Sequence, residues 1–533
     1  MTATGPDGAL APSLEAACER WPDRPAVTLG AGTVTYRALG RQVARLVASY
    51  RRLGVSPGDR VLCQLPNRPE HLVAVNAAWG AGAVHVGADN DLTGRELAWL
   101  AERTEAAALL YQPRPGADDP MGPARAVRAA SPSTRIVLAG PAPGDEAGEA
   151  DHLLGDLLAG PEEAEAWAPP HAPGDTSHLL LTSGTTGQPK AVRETLPACW
   201  AKMQFFADAY RPRADDVELL YLPVAHVFGL RLALITLLTG GRLVLAERFS
   251  PAAALDLVGR EAVTVLPGMP AHFTLLLDAL DPARHRVSSL RWAISAASAL
   301  PRGLVDRIYD ELGVELLYVY GCSENFTVQT TDRHQIARGS VGRQVFRGPE
   351  GTPPDGRVAV MDPATGELAA PGAVGEIVFG AAHPVRYWRA PDAAGDGWYR
   401  TGDLGRVDAD GSVYVMGRLK ELVNRGGLHV SPTEVETAVV RHPAVADGAV
   451  VGTPDPVLGE AICACVVPAP AGRPPALGEL RDFLAADLAR HKLPDELCVV
   501  DAIPRTRIGK VDRIALRAVA TEPGRRRERL RPR

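Results

Sequence analysis

Apolar, strand-like runs alternate with helix-like segments along most of this chain, and that alternation limits it to few folds. Residues 60–65 are typical of a buried strand, residues 69–78 of a helix, and residues 80–86 of a turn with the next strand. A helix between two such strands lets the strands lie parallel in one sheet. The pattern therefore predicts an α/β fold with mainly parallel sheets.

The alternation continues further along the chain and then changes character. A second α/β round is predicted, with strands at 218–222, 242–245, 263–266, 290–294 and 314–318. After about residue 339, short strands punctuated by glycine (358–360, 375–379 and 411–415) predict a smaller β-rich subdomain. Residues 116–173 are rich in Ala, Pro, Gly, Asp and Glu, which indicates a loop or linker interrupted by one strand at 134–138.

The last hundred residues have the pattern of a compact α+β domain. Helices are predicted at 432–441 and 477–488, and strands at 448–451 and 462–467. A chain of 533 residues is too long for one core. We expect residues 1–416 to form an N-terminal unit and residues 417–533 a small, mobile C-terminal domain.

Composition narrows the possible partners. The net charge of −6 and the pI near 6.1 give no global attraction to nucleic acid or to anionic lipid. The longest apolar stretch, residues 232–238, is too short to cross a bilayer. Seven scattered cysteines and an N-terminus without a signal-peptide pattern predict a cytoplasmic protein. Cys463 and Cys465 alternate within a strand pattern, so we expect core thiols there.

One loop indicates a site for phosphate. The apolar run 178–181 leads into LTSGTTGQPK at residues 181–190, where glycines let backbone N–H groups approach an anion. Hydroxyl donors and the charge of Lys190 complete the pattern. It is not a Walker loop, because no GK[ST] closes it. On these residues alone, a Gly/Ser/Thr surface loop remains an equal alternative.

Five blocks in a fixed order extend the argument. They are LTSGTTGQPKAV (181–192), YLPVAHVFGL (221–230), VYGCSEN (319–325), WYRTGDLGRVDADGSVYVMGRLKELVNRGGLHVSPTEVE (398–436) and PRTRIGKVDR (504–513). Together they resemble the adenylate-forming acyl/aryl-CoA synthetase superfamily, which also contains peptide-synthetase adenylation domains and luciferases. The resemblance runs from about residue 21 to residue 514. It implies two α/β subdomains, a β-rich one and a mobile C-terminal domain, in agreement with the composition shifts.

The resemblance implies an ATP site. By this resemblance one loop and the lysine that follows it bind the β- and γ-phosphates of ATP. These residues are Thr182, Ser183, Gly184, Thr185, Thr186, Gly187 and Lys190. In the block that contains Gly321, Tyr320 would stack on adenine, Ser323 would donate to phosphate and Glu324 would hold Mg²⁺.

Two further residues of the site come from the longest block. Asp403 matches the acid that accepts the ribose hydroxyls, and Arg418 matches an arginine near the ribose and phosphates. On its own, the Thr-Gly-Asp trio that ends at Asp403 would indicate only a turn.

The C-terminal part supplies a catalytic lysine and a hinge by the same resemblance. Lys510 would bridge the attacking carboxylate and the α-phosphate, and Lys420 occupies the hinge position. Rotation about the hinge would replace Lys510 by the acceptor channel at Gly426 and Gly427. His226 matches a position that lines the carboxylate and gates the acceptor channel. The resemblance therefore implies four catalytic residues, namely Lys510, His226, Glu324 and Lys420.

The substrate pocket is expected to be mostly apolar. Its predicted lining residues are Phe228, Gly268, Met269, Ala296 and Ala297. No acid is found near His226 to grip an α-amine, which disfavours an amino acid substrate. Ala191 replaces the usual glycine after the loop lysine, and residues 295–299 lack the usual glycine and proline. Both exchanges keep small residues, so adenylation is still expected. The mostly apolar lining suits an aryl or medium acyl group.

The sequence thus predicts an enzyme that converts a carboxylic acid to acyl-AMP with ATP and Mg²⁺ and transfers the acyl group to CoA. An amine acceptor, giving an amide, and a carrier-protein thiol remain open alternatives. A non-catalytic nucleotide-binding protein on the same fold is the alternative of a different class. The sequence indicates neither the acid nor the oligomeric state.

Replacing Lys510 tests the predicted catalytic loop. Lys510→Ala should lower the adenylation rate by about 10²–10³, as expected for loss of one strong transition-state donor. Acid-dependent ATP–pyrophosphate exchange measures this rate. Exchange that survives the substitution nearly intact would refute the assignment.

Overall fold

The computed structural model describes residues 10–114, 116–140, 148–160, 172, 174–182, 190–298, 300–324, 326–345, 358–380, 386–389, 397–469, 473–505, 511–522 and 527–529. The strands are β1 Pro25–Leu29, β2 Gly32–Thr35, β3 Arg60–Gln64, β4 Val84–Gly87, β5 Ala106–Tyr111, β6 Arg135–Leu138, β7 His152–Leu153, β8 Thr176–Thr182, β9 Lys190–Thr195, β10 Val217–Leu220, β11 Arg242–Leu245, β12 Val265–Gly268, β13 Trp292–Ser295, β14 Glu315–Cys322, β15 Phe326–Thr330, β16 Gln344–Val345, β17 Val358–Met361, β18 Val374–Gly380, β19 Trp398–Val407, β20 Val413–Arg418, β21 Val423–Arg425, β22 Leu428–Val430, β23 Val445–Asp455, β24 Gly459–Pro468, β25 Glu496–Val499 and β26 Arg527–Arg529.

The helices are α1 Leu14–Arg20, α2 Tyr36–Arg52, α3 Pro69–Gly80, α4 Gly94–Thr104, α5 Gly122–Ala130, α6 Leu154–Ala159, α7 Leu196–Tyr210, α8 Val227–Leu238, α9 Pro251–Glu261, α10 Pro270–Ala279, α11 Arg302–Arg307, α12 Arg333–Ala337, α13 Pro432–Val439, α14 Leu477–Leu484 and α15 Arg513–Thr521. Among the described residues, none of these helices has both the length and the hydropathy that a bilayer span requires.

Two large, mainly parallel sheets confirm the predicted α/β class. The order β7-β6-β5-β3-β4-β8-β9 forms a seven-stranded sheet, in which only the β8–β9 pair is antiparallel. The order β16-β15-β14-β13-β12-β10-β11-β1-β2 forms a nine-stranded sheet whose central strands β14 to β1 are parallel. All five strands predicted for the second α/β round are present in it, with ends shifted by a few residues.

The β-rich subdomain and the C-terminal α+β part are also present. Strands β17-β18-β19-β20 form an antiparallel sheet, and β21 to β26 form a separate six-stranded sheet. Cys463 and Cys465 are buried in β24, as expected of core thiols. The predicted boundary between Met416 and Gly417 falls inside β20, so we propose that the hinge lies just beyond it, in the 3₁₀ turn Leu419–Glu421.

One feature of the fold was not predicted from the sequence, and one prediction was wrong in part. The first strands, β1 and β2, belong to the nine-stranded sheet, where β1 pairs with β11 although 206 residues lie between Thr35 and Arg242. The prediction of a linker over 116–173 is wrong in part, because α5 and α6 lie within it. Ala124 and Val127 of α5 are buried, so tertiary packing stabilises a helix that the composition conceals.

A buried acid in the nine-stranded sheet gives the fold a pH dependence. Glu218 of β10 is fully buried, and burial raises the pKa of its carboxyl from 4.5 to about 8. The hydroxyl of Thr236 in α8 is hydrogen-bonded to Glu218. Between these two pKa values the folded chain holds a proton that the unfolded chain has lost, so stability falls as the pH rises.

Glu218→Gln should remove this dependence, because an amide does not ionise. From pH 5 to pH 8 the free energy of unfolding of the native chain should fall, relative to the variant, by up to about 1.4 kcal/mol per pH unit. Denaturation midpoints at several pH values measure the difference. Glu102→Gln, the same change at an exposed position of α4, is the control. Parallel pH profiles for the native chain and Glu218→Gln would contradict the account.

Candidate active site

A cavity of about 2680 Å³ lies where the two large sheets, the antiparallel sheet and the C-terminal part meet. The ends of β8 and β9, the first turn of α8, the end of β14 and strands β19 and β20 all contribute to its wall. Ligands of open α/β sheets bind at the carboxyl ends of the parallel strands. The last residues of β14, at the carboxyl end of that strand, line this cavity.

A buried carboxylate connects three strands at this cavity. Asp403 of β19 is 6% exposed and accepts a hydrogen bond from the Tyr320 hydroxyl of β14 at 2.6 Å. Arg418, paired with Asp403 across β19 and β20, places its Nε 2.7 Å from the other carboxylate oxygen. Burial raises the pKa of the Tyr320 phenol well above its usual range, and the adjacent carboxylate adds to this shift. Tyr320 therefore remains a hydrogen-bond donor at neutral pH.

A tyrosine that the sequence prediction missed connects Lys190 and Glu324. The Tyr387 hydroxyl donates to Glu324 Oε1 at 3.4 Å, and Lys190 Nζ lies 5.2 Å from the centre of the Tyr387 ring. A backbone bridge between Val192 and Tyr387 holds the ring beside β9. Burial raises the pKa of Tyr387 to about 12, so the ring stays neutral. No motif marks Tyr387, because its role depends on pairing with a distant strand.

The acid predicted to bind a metal has suitable chemistry. Glu324 follows β14 directly and lines the cavity, and Mg²⁺ prefers carboxylate oxygens together with phosphate oxygens and water. Among the described residues, His178, Glu194 and Cys199 form a group with metal-ligand spacing. Glu194, however, is already paired with Lys202 and Arg231, so a cation there would meet two positive charges. The cluster is an ion-pair core.

The sequence prediction that no acid lies near His226 is wrong, because Asp89, distant in the chain, binds its ring, although Asp89 does not itself line the cavity. His226 Nε2 lies 3.1 Å from Asp89 Oδ2, and the ring lines the cavity at the start of α8. Since an ionised carboxylate only accepts hydrogen bonds, Nε2 carries the hydrogen and Nδ1 is the basic nitrogen of the neutral ring. Asp89 follows β4 closely. Its place beyond the carboxyl end of a parallel strand is the signal that could have identified it.

Four of the five residues predicted for the substrate pocket line the cavity. Phe228, Met269, Ala296 and Ala297 line the cavity. Gly268 does not: it is buried at the end of β12, where an added Cβ would lie 2.7 Å from the Tyr221 hydroxyl, so it supports the wall from behind. Ala297 has a φ of 77°, a left-handed conformation that costs a residue other than glycine about 1–2 kcal/mol.

Of the two functional segments predicted in the C-terminal part, the residues that flank the catalytic-lysine loop line the cavity and the glycine pair of the acceptor channel does not. Arg505 and Val511, which form a β-bridge, line the cavity. Gly426 and Gly427 form an exposed turn between β21 and β22 and do not line it, and Lys420 is exposed in its turn. The predicted acceptor channel is therefore away from the cavity in this arrangement.

The remaining predicted ATP-site residues are described only in part. Gly321 and Ser323 line the cavity together with Tyr320 and Glu324. Thr182 ends β8, but its side chain is not described. The remaining loop residues and the catalytic lysine fall outside the described residues: Ser183, Gly184, Thr185, Thr186, Gly187 and Lys510.

Comparison with known families covers most of the chain. The AMP-binding enzyme family matches residues 14–386, and the AMP-binding enzyme C-terminal domain matches residues 434–510. A curated relative, a salicylyl-CoA synthase / salicylate adenylyltransferase of Streptomyces sp, is 35% identical over 94% of this chain and 92% of its own length.

Two solved structures are similar over nearly the whole chain. ATP-bound MatB from Rhodopseudomonas palustris has a TM-score of 0.81 and 28% identity, covering 96% of this chain and 99% of MatB. The amide bond synthetase McbA from Marinactinospora thermotolerans has a TM-score of 0.81 and 27% identity, covering 95% of this chain and 99% of McbA.

Removing the hydroxyl that holds Asp403 should weaken nucleotide binding. Tyr320→Phe deletes a hydrogen bond to a buried charge, and such bonds contribute about 1.5–3 kcal/mol, so the Kd for ATP should rise about tenfold or more. Calorimetric titration with ATP measures the change. Tyr309→Phe, at a half-buried tyrosine that does not line the cavity, is the control. Equal affinities for ATP in the two variants would contradict this role.

Proposed function

Because this chain belongs to the AMP-binding enzyme family, and is thus an AMP-forming acid ligase, we propose that it adenylates an aryl or medium acyl carboxylic acid and transfers the acyl group to CoA. The observation that carries the proposal is the composition of one cavity. The bonded set Asp403, Tyr320 and Arg418 shares it with the largely apolar surface of Phe228 and Met269. A nucleotide and an apolar acid could therefore bind next to each other in this cavity.

The nucleotide half of the cavity would bind ATP through an acid and an aromatic ring at the nucleoside and through a lysine at the phosphates. The Asp403 carboxylate would accept the ribose hydroxyls, and the Tyr320 ring would stack on the adenine. Lys190, exposed at the start of β9, would pair with the triphosphate. Glu324 would hold Mg²⁺, which when bound supplies charge neutralisation of the phosphates.

In the first half-reaction, a carboxylate oxygen of the acid attacks the α-phosphorus of ATP. The new O–P bond forms as the bond to the β-phosphate breaks, and pyrophosphate leaves. Lys510 would neutralise charge between the two anionic reactants. Its support is the position of Arg505 and Val511, which flank the segment in sequence and line the cavity.

In the second half-reaction, the acceptor attacks the acyl carbon and AMP leaves. His226 Nδ1 would take the proton of the acceptor, with Asp89 stabilising the charged ring. Rotation at the turn that contains Lys420 would bring Gly426 and Gly427 to the cavity. Such a rotation would be needed because Gly426 and Gly427 do not line the cavity in the present arrangement.

An amine acceptor is the second candidate, and the similarity to McbA favours it. His226 with Asp89 could accept a proton from an ammonium-like adduct as well as from a thiol. A carrier-protein thiol is a third acceptor of the same chemistry. A non-catalytic nucleotide-binding protein would use the same ATP-site side chains, so the cavity alone does not favour the enzyme. Membership of the AMP-binding enzyme family and the similarity to a salicylyl-CoA synthase over nearly the whole chain do favour it.

Exchange and product analysis test the proposal together. Labelled pyrophosphate should enter ATP only when a suitable carboxylic acid is present, and omission of the acid is the control. Mass spectrometry with CoA and a panel of amines should then show the acyl-CoA. An amide product would favour the second candidate. Adenylate that reacts with neither would indicate a carrier protein, and absence of acid-dependent exchange would contradict the proposed function.

A further inference from the structure

A buried ionic cluster lies against the wall of the cavity. Glu194 of β9 accepts hydrogen bonds from Lys202 Nζ of α7 at 2.7 Å and from Arg231 Nη2 of α8 at 2.6 Å. The three side chains are 3%, 1% and 6% exposed. Burial opposes ionisation of Glu194, but the Arg231 and Lys202 charges overcome it and lower the pKa of Glu194 to about 2. The carboxylate is therefore ionised throughout the physiological range.

The charges of this cluster do not cancel. One carboxylate faces two cations, so one positive charge is left without a counter-charge within the cluster. Buried charges are costly unless paired. His178, the nearest further titratable ring, has its Nδ1 4.0 Å from Glu194 and adds no negative charge. An anionic or strongly accepting group from outside would complete the cluster.

Arg231 is the member of the cluster that a ligand can reach. It lines the cavity, as do Val227 and Phe228, which lie one turn earlier on α8. Its Nη2 is bound to Glu194, while its Nε is buried and has no hydrogen-bond partner among the described residues. Nε itself has almost no accessible surface, so a ligand in the cavity would meet the charge of the guanidinium rather than that atom. An oxygen acceptor would be attracted by this charge.

We propose that Arg231 selects acids that carry a second oxygen acceptor, either a phenolic oxygen or a second carboxylate, on the part of the molecule that enters the pocket. This inference rests on the proposed function and specifies its substrate class. A carboxylate or phenolate would neutralise the excess charge, and a neutral hydroxyl would turn its oxygen towards the guanidinium. Glu194 is a positioning residue, because it fixes the guanidinium and does not itself line the cavity.

A substrate panel tests the selection directly. The kcat/KM for acid-dependent pyrophosphate exchange is measured for benzoate, the three hydroxybenzoates and the three benzenedicarboxylates. In the native chain at least one oxygen-substituted acid should exceed benzoate by about tenfold or more. The hydroxy and dicarboxylate series separate the two kinds of acceptor.

Substitution of Arg231 should then remove the preference. Arg231→Met leaves the Glu194–Lys202 pair balanced, and the ratio of the preferred acid to benzoate should fall about tenfold or more. Arg242→Met, which removes a salt-bridged arginine that does not line the cavity, is the matched control and should keep the ratio. Arg231→Lys, which keeps the charge, should retain part of a preference for a dicarboxylate.

The outcomes separate this inference from the proposed function. Exchange with benzoate and no preference for any oxygen-substituted acid in the native chain would overturn the selection by Arg231 but keep the function. Arg231→Met that lowers exchange with all acids by one common factor would show a structural role only and also overturn it. Exchange with no acid at all would overturn the proposed function, and this inference with it.

Discussion

The bonded group formed by Asp403, Tyr320 and Arg418 is the constraint on which the site depends. One buried carboxylate joins β14 of the nine-stranded sheet to β19 and β20 of the antiparallel sheet. The contact between the two sheets is the hydrogen bond from the Tyr320 hydroxyl to Asp403, and loss of a hydrogen bond to a buried charge is costly, so this bond holds the sheets together here. The cavity lies where these sheets meet, and the same three side chains line the half of it that we propose for the nucleotide.

The sequence predicted the parts of the fold and site that depend on local pattern. Buried parallel strands are continuous apolar runs, so the strands around β10 to β14 could be recognised. Tyr320, Glu324, Asp403 and Arg418 lie in continuous blocks, and all four line one cavity. Residues whose roles depend on distant pairing could not be found this way. Asp89 meets His226 across 137 positions, and β1 pairs with β11, which follows it by more than 200 positions.

The ionic cluster of Glu194, Lys202 and Arg231 shows how a feature can be costly for the fold and useful for binding. A single arginine within the apolar helix α8 requires a buried partner, and Glu194 provides it. Such clusters contribute little net stability compared with well-packed apolar residues. What such a cluster provides is a fixed charge at a defined place, here beside Val227 and Phe228, on the side of the cavity that we propose for the acyl group.

The central claim is that the acid and the nucleotide react directly with each other in this one cavity. The most direct test uses an acid labelled with ¹⁸O in both carboxylate oxygens, followed by mass spectrometry of the products of complete turnover with ATP. Direct attack on the α-phosphorus predicts that AMP acquires one ¹⁸O atom from the acid. AMP without the label, or label found in orthophosphate, would contradict the claim.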